Sequence, residues 1–174
     1  MKNTTNIILI GMPGSGKSTV GVILAKRLAM DFLDTDILIQ KNAGRTLQEI
    51  VDSQGHMALR SLEEQALLNI QCRNHIIATG GSAVYSEPAM RHLREIGATI
   101  FLHAELAALQ SRVWNYETRG IAKRPGQSLQ DLFAERMVLY EKYADITVHS
   151  SKLNHDQVCE AILNLLKPLS GPIN

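Results

Sequence analysis

The hydrophobic pattern switches repeatedly between strand-like and helix-like periods. Asn6 to Ile10 is an apolar run with three isoleucines, as in a strand covered on both faces. After a glycine-rich stretch, Val20, Ile23, Leu24 and Leu28 recur at helical spacing. Shorter runs at Phe32 to Asp34, Ile76 to Thr79, Thr99 to His103 and Ile146 to His149 read as further strands. Helical patterning covers Ile37 to Asn42, Leu47 to Ser53, Leu59 to Gln71, a segment opened by Pro88 and closed by Gly97, Leu106 to Val113, Leu129 to Tyr143 and Val158 to Leu166, with Gly44 and Gly55 as helix ends. Five strands alternating with helices predict a three-layer α/β/α fold around a five-stranded parallel sheet. Trp114 to Gln127 lacks an apolar stripe and reads as a loop, and the tail from Pro168 to Asn174 is expected to fray.

Composition narrows the class. A chain of 174 residues, 45% hydrophobic and 20% charged, suits a single soluble domain. Its formal net charge of +1 argues against a nucleic-acid partner held by bulk electrostatics, so any positive site must be local. No apolar stretch is long enough for a bilayer, and the N-terminus lacks a charged-then-apolar leader, which predicts a cytoplasmic protein without a membrane partner, taken as a monomer. Cys72 and Cys159 have no CxxC or Cys/His spacing and are expected to be buried thiols. No HExxH pattern occurs, so a metal should arrive with a nucleotide.

The glycine-rich stretch supplies the first chemistry. Gly11-Met12-Pro13-Gly14-Ser15-Gly16-Lys17-Ser18 fits GxxxxGK[ST] at every fixed position, and Thr19 adds a second hydroxyl. Glycines let backbone N–H groups turn inward around phosphate oxygens, and the loop ends at a helix N-terminus that favours an anion. Lys17 should bridge the β- and γ-phosphates of ATP, and Ser18 should offer its oxygen to Mg²⁺. Asp34 and Asp36 follow the second strand, where ligands collect in open α/β sheets. Alternate spacing sends them to opposite sides, one toward the metal and one toward an attacking hydroxyl. Asp36 is also a candidate cap for a helix starting at Ile37.

Phe32-Leu33-Asp34-Thr35-Asp36, followed by Gly44, Leu47, Glu49, Gly55, Arg60 and Glu63, and later Arg136-Met137-Val138-Leu139-Tyr140 and Tyr143-Ala144, resembles the shikimate kinase family over most of the chain. The resemblance implies a P-loop sheet of the nucleoside monophosphate kinase type, and ATP-dependent phosphorylation of a hydroxyl of shikimate, a precursor in aromatic amino-acid biosynthesis. It makes Asp34 the metal-side aspartate and Asp36 the one that holds substrate hydroxyls and serves as base. It also assigns Arg60 and Arg136 to the substrate carboxylate, the amides of Gly80 and Gly81 to the substrate, and Arg112 to the adenine. Independently of the family, two guanidinium forks suit an anionic acceptor, which each would bind through paired charge-assisted hydrogen bonds. Glu63, one turn from Arg60, is expected to orient it.

Two stretches depart from the family pattern. Ser82 stands where a third consecutive glycine is usual, placing a side chain able to narrow the pocket or touch the ligand. A lid is expected over about residues 114–127, and its sequence runs Thr118-Arg119-Gly120-Ile121-Ala122-Lys123-Arg124-Pro125. Spacing to Arg136 favours Arg119 over Arg124 as the arginine that reaches the transferring phosphoryl group. The same machinery also suits gluconate, homoserine or a nucleoside monophosphate as acceptor, and a non-catalytic nucleotide-binding module is the reading from another class.

Overall fold

Side chains along β1 (Asn6–Ile10) alternate between two faces, and both are dry because helices cover each side. The computed structural model describes residues 6–112 and 120–166. Its other strands are β2 (Asp31–Asp34), β3 (His75–Ala78), β4 (Gly97–His103) and β5 (Ile146–His149), all parallel in the order β2-β3-β1-β4-β5. The helices are α1 (Lys17–Leu28), α2 (Thr35–Ala43), α3 (Leu47–Gln54), α4 (His56–Leu68), α5 (Glu87–Ile96), α6 (Leu106–Arg112), α7 (Leu129–Tyr143) and α8 (His155–Leu166), with a 3-10 turn at Ala83–Tyr85. The expected three-layer α/β/α architecture is therefore present.

Ile7 and Leu9 pack with Val20 and Leu24 of α1 and with Val158, Cys159 and Ile162 of α8. Ile8 and Ile10 face the other way, toward Leu67 of α4, Met90 and Leu93 of α5, and Leu132 and Tyr140 of α7. A third, smaller cluster joins Ile39, Ile50 and Leu59 of α2, α3 and α4 to Ala122. It forms a separate lobe beyond the carboxyl ends of the strands. With β1 central and the chain winding to either side of it, that end of the sheet is where a crevice opens.

Three helix starts differ from the sequence pattern, because apolar periodicity does not register the cap and first-turn residues. α2 begins at Thr35 and is capped by Asp34, not Asp36: Asp34 Oδ1 accepts from the amides of Asp36 and Ile37 at 3.0 and 3.3 Å. α4 begins at His56, directly after Gly55, and ends at Leu68 so that Ile70 can turn down into the core. α8 begins at His155, where the backbone amides of Asn154 and Gln157 each donate to the other's side-chain oxygen at 2.9 Å. Both cysteines are free thiols, but only Cys159 is fully buried; Cys72 is partly exposed. Val113, Trp114, Arg119 and the tail from Pro168 lie outside the described residues.

One polar side chain ties the sheet together at the opposite end. Asn6, buried at the start of β1, donates to Cys72 O and Ile96 O at 2.9 and 3.1 Å and accepts from His75 N at 3.0 Å. It thereby fixes the entries to β3 and β4. Asn6→Ala should cost about 2 kcal/mol by leaving these groups unpaired, lowering the melting temperature by about 4–8 °C in a thermal unfolding scan.

Candidate active site

The phosphate loop links β1 to α1. Gly14 and Gly16 hold φ of 85° and 97°, a region in which a Cβ is strained. Gly16 is the N-cap of α1 and has no side chain to satisfy the first amides, so those donors face the crevice. Ser15 and Lys17 are 3% and 8% exposed. Lys17 Nζ donates to Gly11 O and Met12 O at 2.7 and 3.0 Å. Burial pulls its ammonium down to about 8, against the opposing pull of Asp36 and Asp34.

Ser18 Oγ donates to Asp34 Oδ2 at 2.6 Å, which joins the first turn of α1 to the end of β2. Asp34 thus divides its carboxylate, one oxygen for the α2 cap and the other beside the phosphate loop. Asp36, in the first turn of α2, lines the same crevice. The two aspartates do not point to opposite sides as extended spacing suggested, because the chain turns helical at Thr35. No group of three or more His, Cys, Asp or Glu able to hold a metal occurs among the described residues. The adjacent Ser18 and Asp34 oxygens instead fit a hard cation that brings phosphate and water ligands of its own.

Across the crevice, which measures about 910 Å³, the backbone passes closely between charged side chains. A Cβ on Gly80 would overlap Glu63 Oε1 and lie 2.7 Å from Asp36 Oδ1; one on Gly81 would lie 2.7 Å from Arg136 Nη1. Gly80 and Gly81 are therefore required by space. The Gly80 amide donates to Thr35 Oγ1 at 3.0 Å, so it is committed within the protein and not offered to a substrate as expected.

Arg136 is 1% exposed, against the ordinary expectation for an arginine on a helix. Its Nη2 donates to Ala122 O at 2.8 Å and its Nε to Tyr85 Oη at 3.4 Å. Burial opposes its charge, but Tyr140, Tyr85 and Glu63 outweigh that and hold the guanidinium firmly protonated. Arg60 stacks on the Tyr85 ring and meets Glu135 at 4.0 Å. Its orienting partner is therefore not Glu63, which instead accepts a hydrogen bond from Ser82. Helical spacing put Glu63 near Arg60, but the helix turns Glu63 into the crevice. Arg136 Nη1, Arg60 Nε and Glu63 Oε1 are buried with no hydrogen-bond partner among the described residues.

The far end of the crevice is lined by Arg112 with Leu153, Asn154 and His155. Arg112 Nη2 donates to Ser150 O and Ser151 O at 3.3 and 3.2 Å, which holds its guanidinium against the β5–α8 turn. Of the expected lid, Gly120, Ile121 and Ala122 line the crevice and Arg124 pairs with Glu135 at 2.6 Å. Arg119 lies outside the described residues. Sequence reasoning missed Tyr85, Glu135 and the Leu153–His155 edge; only the last carried a signal, the Asn154/Gln157 cap.

A phosphate cradle and the buried Arg136 guanidinium share one crevice on a five-stranded parallel sheet, with Arg60 held beside Arg136 on the Tyr85 ring but not lining the crevice, which places the chain in the class of P-loop kinases acting on small molecules. Known proteins narrow the class. A family model described as shikimate kinase matches residues 13–167. Shikimate kinase of Haemophilus influenzae strain PittEE is 33% identical over 98% of this chain and 97% of its own. That of Pseudomonas aeruginosa strain LESB58 is 36% identical over 94% and 97%. Shikimate kinase from Acinetobacter baumannii, solved in complex with shikimate, superposes with a TM-score of 0.89 at 28% identity, covering 98% of this chain and 97% of the other. The chain belongs to the shikimate kinase family, phosphotransferases with an alcohol acceptor. No helix among the described residues is long and apolar enough to cross a membrane.

Glu63 gives the site a measurable signature. Burial, reinforced by the negative charge of Asp36, lifts its carboxyl from 4.5 to about 7. The folded protein thus binds this proton more tightly than the unfolded chain. The associated stability is complete below pH 4.5 and is lost as the pH rises to about 7. Chemical denaturation across that window should show wild type losing about 3 kcal/mol more than Glu63→Gln. Parallel curves for the two proteins would contradict a shifted Glu63.

Proposed function

We propose that the chain transfers the γ-phosphoryl group of ATP to a hydroxyl of shikimate, with Mg²⁺ carried on the nucleotide. Arg136 supports this most directly: a buried cation, pinned on two sides, leaves Nη1 without a partner among the described residues at the wall of the crevice that also holds the phosphate loop. Such a group suits a carboxylate that completes its hydrogen bonding, and shikimate is a carboxylated alcohol. The relative from Acinetobacter baumannii, solved with shikimate, supports the same acceptor.

In this reading the amides of Gly14, Ser15 and Gly16 and the Lys17 ammonium hold the phosphates, joined by Thr19, while Arg112 lies against the adenine. Ser18 and Asp34 would hold the metal, which would supply positive charge against the phosphate oxygens. Arg60 and Arg136 take the carboxylate, with Gly80 and Gly81 as the floor. Asp36 orients the acceptor hydroxyl and receives its proton as the new oxygen–phosphorus bond forms and the bond to the β-phosphate oxygen breaks, releasing ADP. Arg119 approaches the transferring group from the lid. Positioning and charge stabilisation account for most of the acceleration in such transfers. Ser82 does not argue for another acceptor, since its hydroxyl is engaged by Glu63.

Coupled ADP release should be fastest with shikimate among shikimate, gluconate, homoserine and nucleoside monophosphates. Faster turnover of another acid would replace the acceptor, and no acceptor-dependent turnover would favour a binding module. Lys17→Ala should lower kcat by about a thousandfold or more while the circular dichroism spectrum is unchanged. Arg136→Lys should raise the KM for shikimate by about ten- to a hundredfold, because an ammonium cannot reproduce the fork, and leave the KM for ATP near its original value.

A further inference from the structure

Tyr85 ends the 3-10 turn that follows Gly80-Gly81-Ser82, and it touches both acceptor-side arginines. The guanidinium carbon of Arg60 lies 3.5 Å from the ring centroid, and that of Arg136 lies 5.4 Å from it. The phenol oxygen accepts from Arg136 Nε at 3.4 Å and donates its own proton to Glu135 Oε1. Glu135 is itself fixed, since its Oε2 accepts from Arg124 Nη2 at 2.6 Å and from Gln127 Nε2 at 3.1 Å.

Contact with a ring face engages the plane of a guanidinium and leaves its in-plane N–H donors free. A carboxylate partner would have occupied those donors. Tyr85 thus attracts two neighbouring cations while occupying only one of their in-plane donors, Arg136 Nε, and Arg60 Nε and Arg136 Nη1 remain unpartnered among the described residues. The carboxylate beside Arg60, Glu135, stays at 4.0 Å from it while it is bound to Tyr85, Arg124 and Gln127. Two cations so close repel each other, and the ring's negative face offsets part of that repulsion.

We propose that Tyr85, anchored by Glu135, is a positioning residue that holds Arg60 and Arg136 with their donor edges open, and so sets the preference for a carboxylated acceptor over a neutral one. This rests on the assignment of the crevice to a carboxylated alcohol. The test compares shikimate with its carboxamide, which keeps every hydroxyl and loses the charge, in wild type, Tyr85→Phe and Tyr85→Leu. Tyr85→Leu removes ring and hydroxyl and should lower kcat/KM for shikimate by about tenfold, chiefly through KM. Tyr85→Phe keeps the stack, loses the anchor, and should lower it by about threefold. In both variants the carboxamide's kcat/KM and the KM for ATP should stay within about twofold of wild type. Equal losses for both acceptors, or a loss confined to thermal stability, would overturn the positioning role alone. Wild-type turnover of neither acceptor would overturn the acceptor assignment and this role with it.

Discussion

Mutual solvation of buried charges shapes the carboxyl end of the sheet. Lys17, Glu63 and Arg136 are 8%, 2% and 1% exposed, and each alone would be costly to remove from water. Together with Asp36 they form a set of two cations and two carboxylates around Gly80 and Gly81. Burial pulls Lys17 down and pushes Glu63 up, so it works against charge on both. The glycines are consequences of this arrangement, since only a backbone without Cβ passes between Glu63, Asp36 and Arg136. Fixed charges of this kind need little rearrangement when a ligand's own charge enters, which is what phosphoryl transfer demands of its surroundings.

Asp34 shows how closely local structure and chemistry are joined. It ends β2, caps α2 through one oxygen and meets Ser18 through the other. Three elements are brought into register by one carboxylate, and Asp36 is delivered into the crevice because the cap starts the helix two residues before the sequence pattern placed it. An asparagine would preserve much of the cap but leave the Ser18 side without a formal charge.

Features encoded locally were legible in the sequence. The phosphate loop, the strands of the sheet and the residues Asp34, Asp36, Arg60 and Arg136 all follow from short patterns or from the family resemblance; Asp34, Asp36 and Arg136 line the crevice with the loop, whereas Arg60 lies beside it against Tyr85. What periodicity could not supply was burial and long-range pairing. Arg60 and Glu63 are neighbours by helical spacing, yet they diverge, one to Tyr85 and the other to Ser82. Tyr85 and Glu135 are 50 residues apart and meet only because α7 packs over the turn after β3. No propensity or motif marks either residue, and their role emerges from tertiary contact alone.

Helices α2, α3 and α4 share their own apolar cluster, in which Ile39, Ile50 and Leu59 are sealed by Ala122. Gly120, at φ 63°, sits against the backbone of Leu47 and Gln48 with no room for a Cβ, and its amide donates to Gln48 Oε1 at 2.7 Å. The chain from Gly120 to Ala122 is therefore fitted tightly against these helices. Two residues later Ala122 O receives Arg136 Nη2. The arginine proposed to read the acceptor thus also holds the chain at Ala122. Displacement of that guanidinium would be transmitted to the Gly120–Ala122 segment and the α2–α4 cluster through one hydrogen bond and one packed methyl group, a path that needs no wider rearrangement of the sheet.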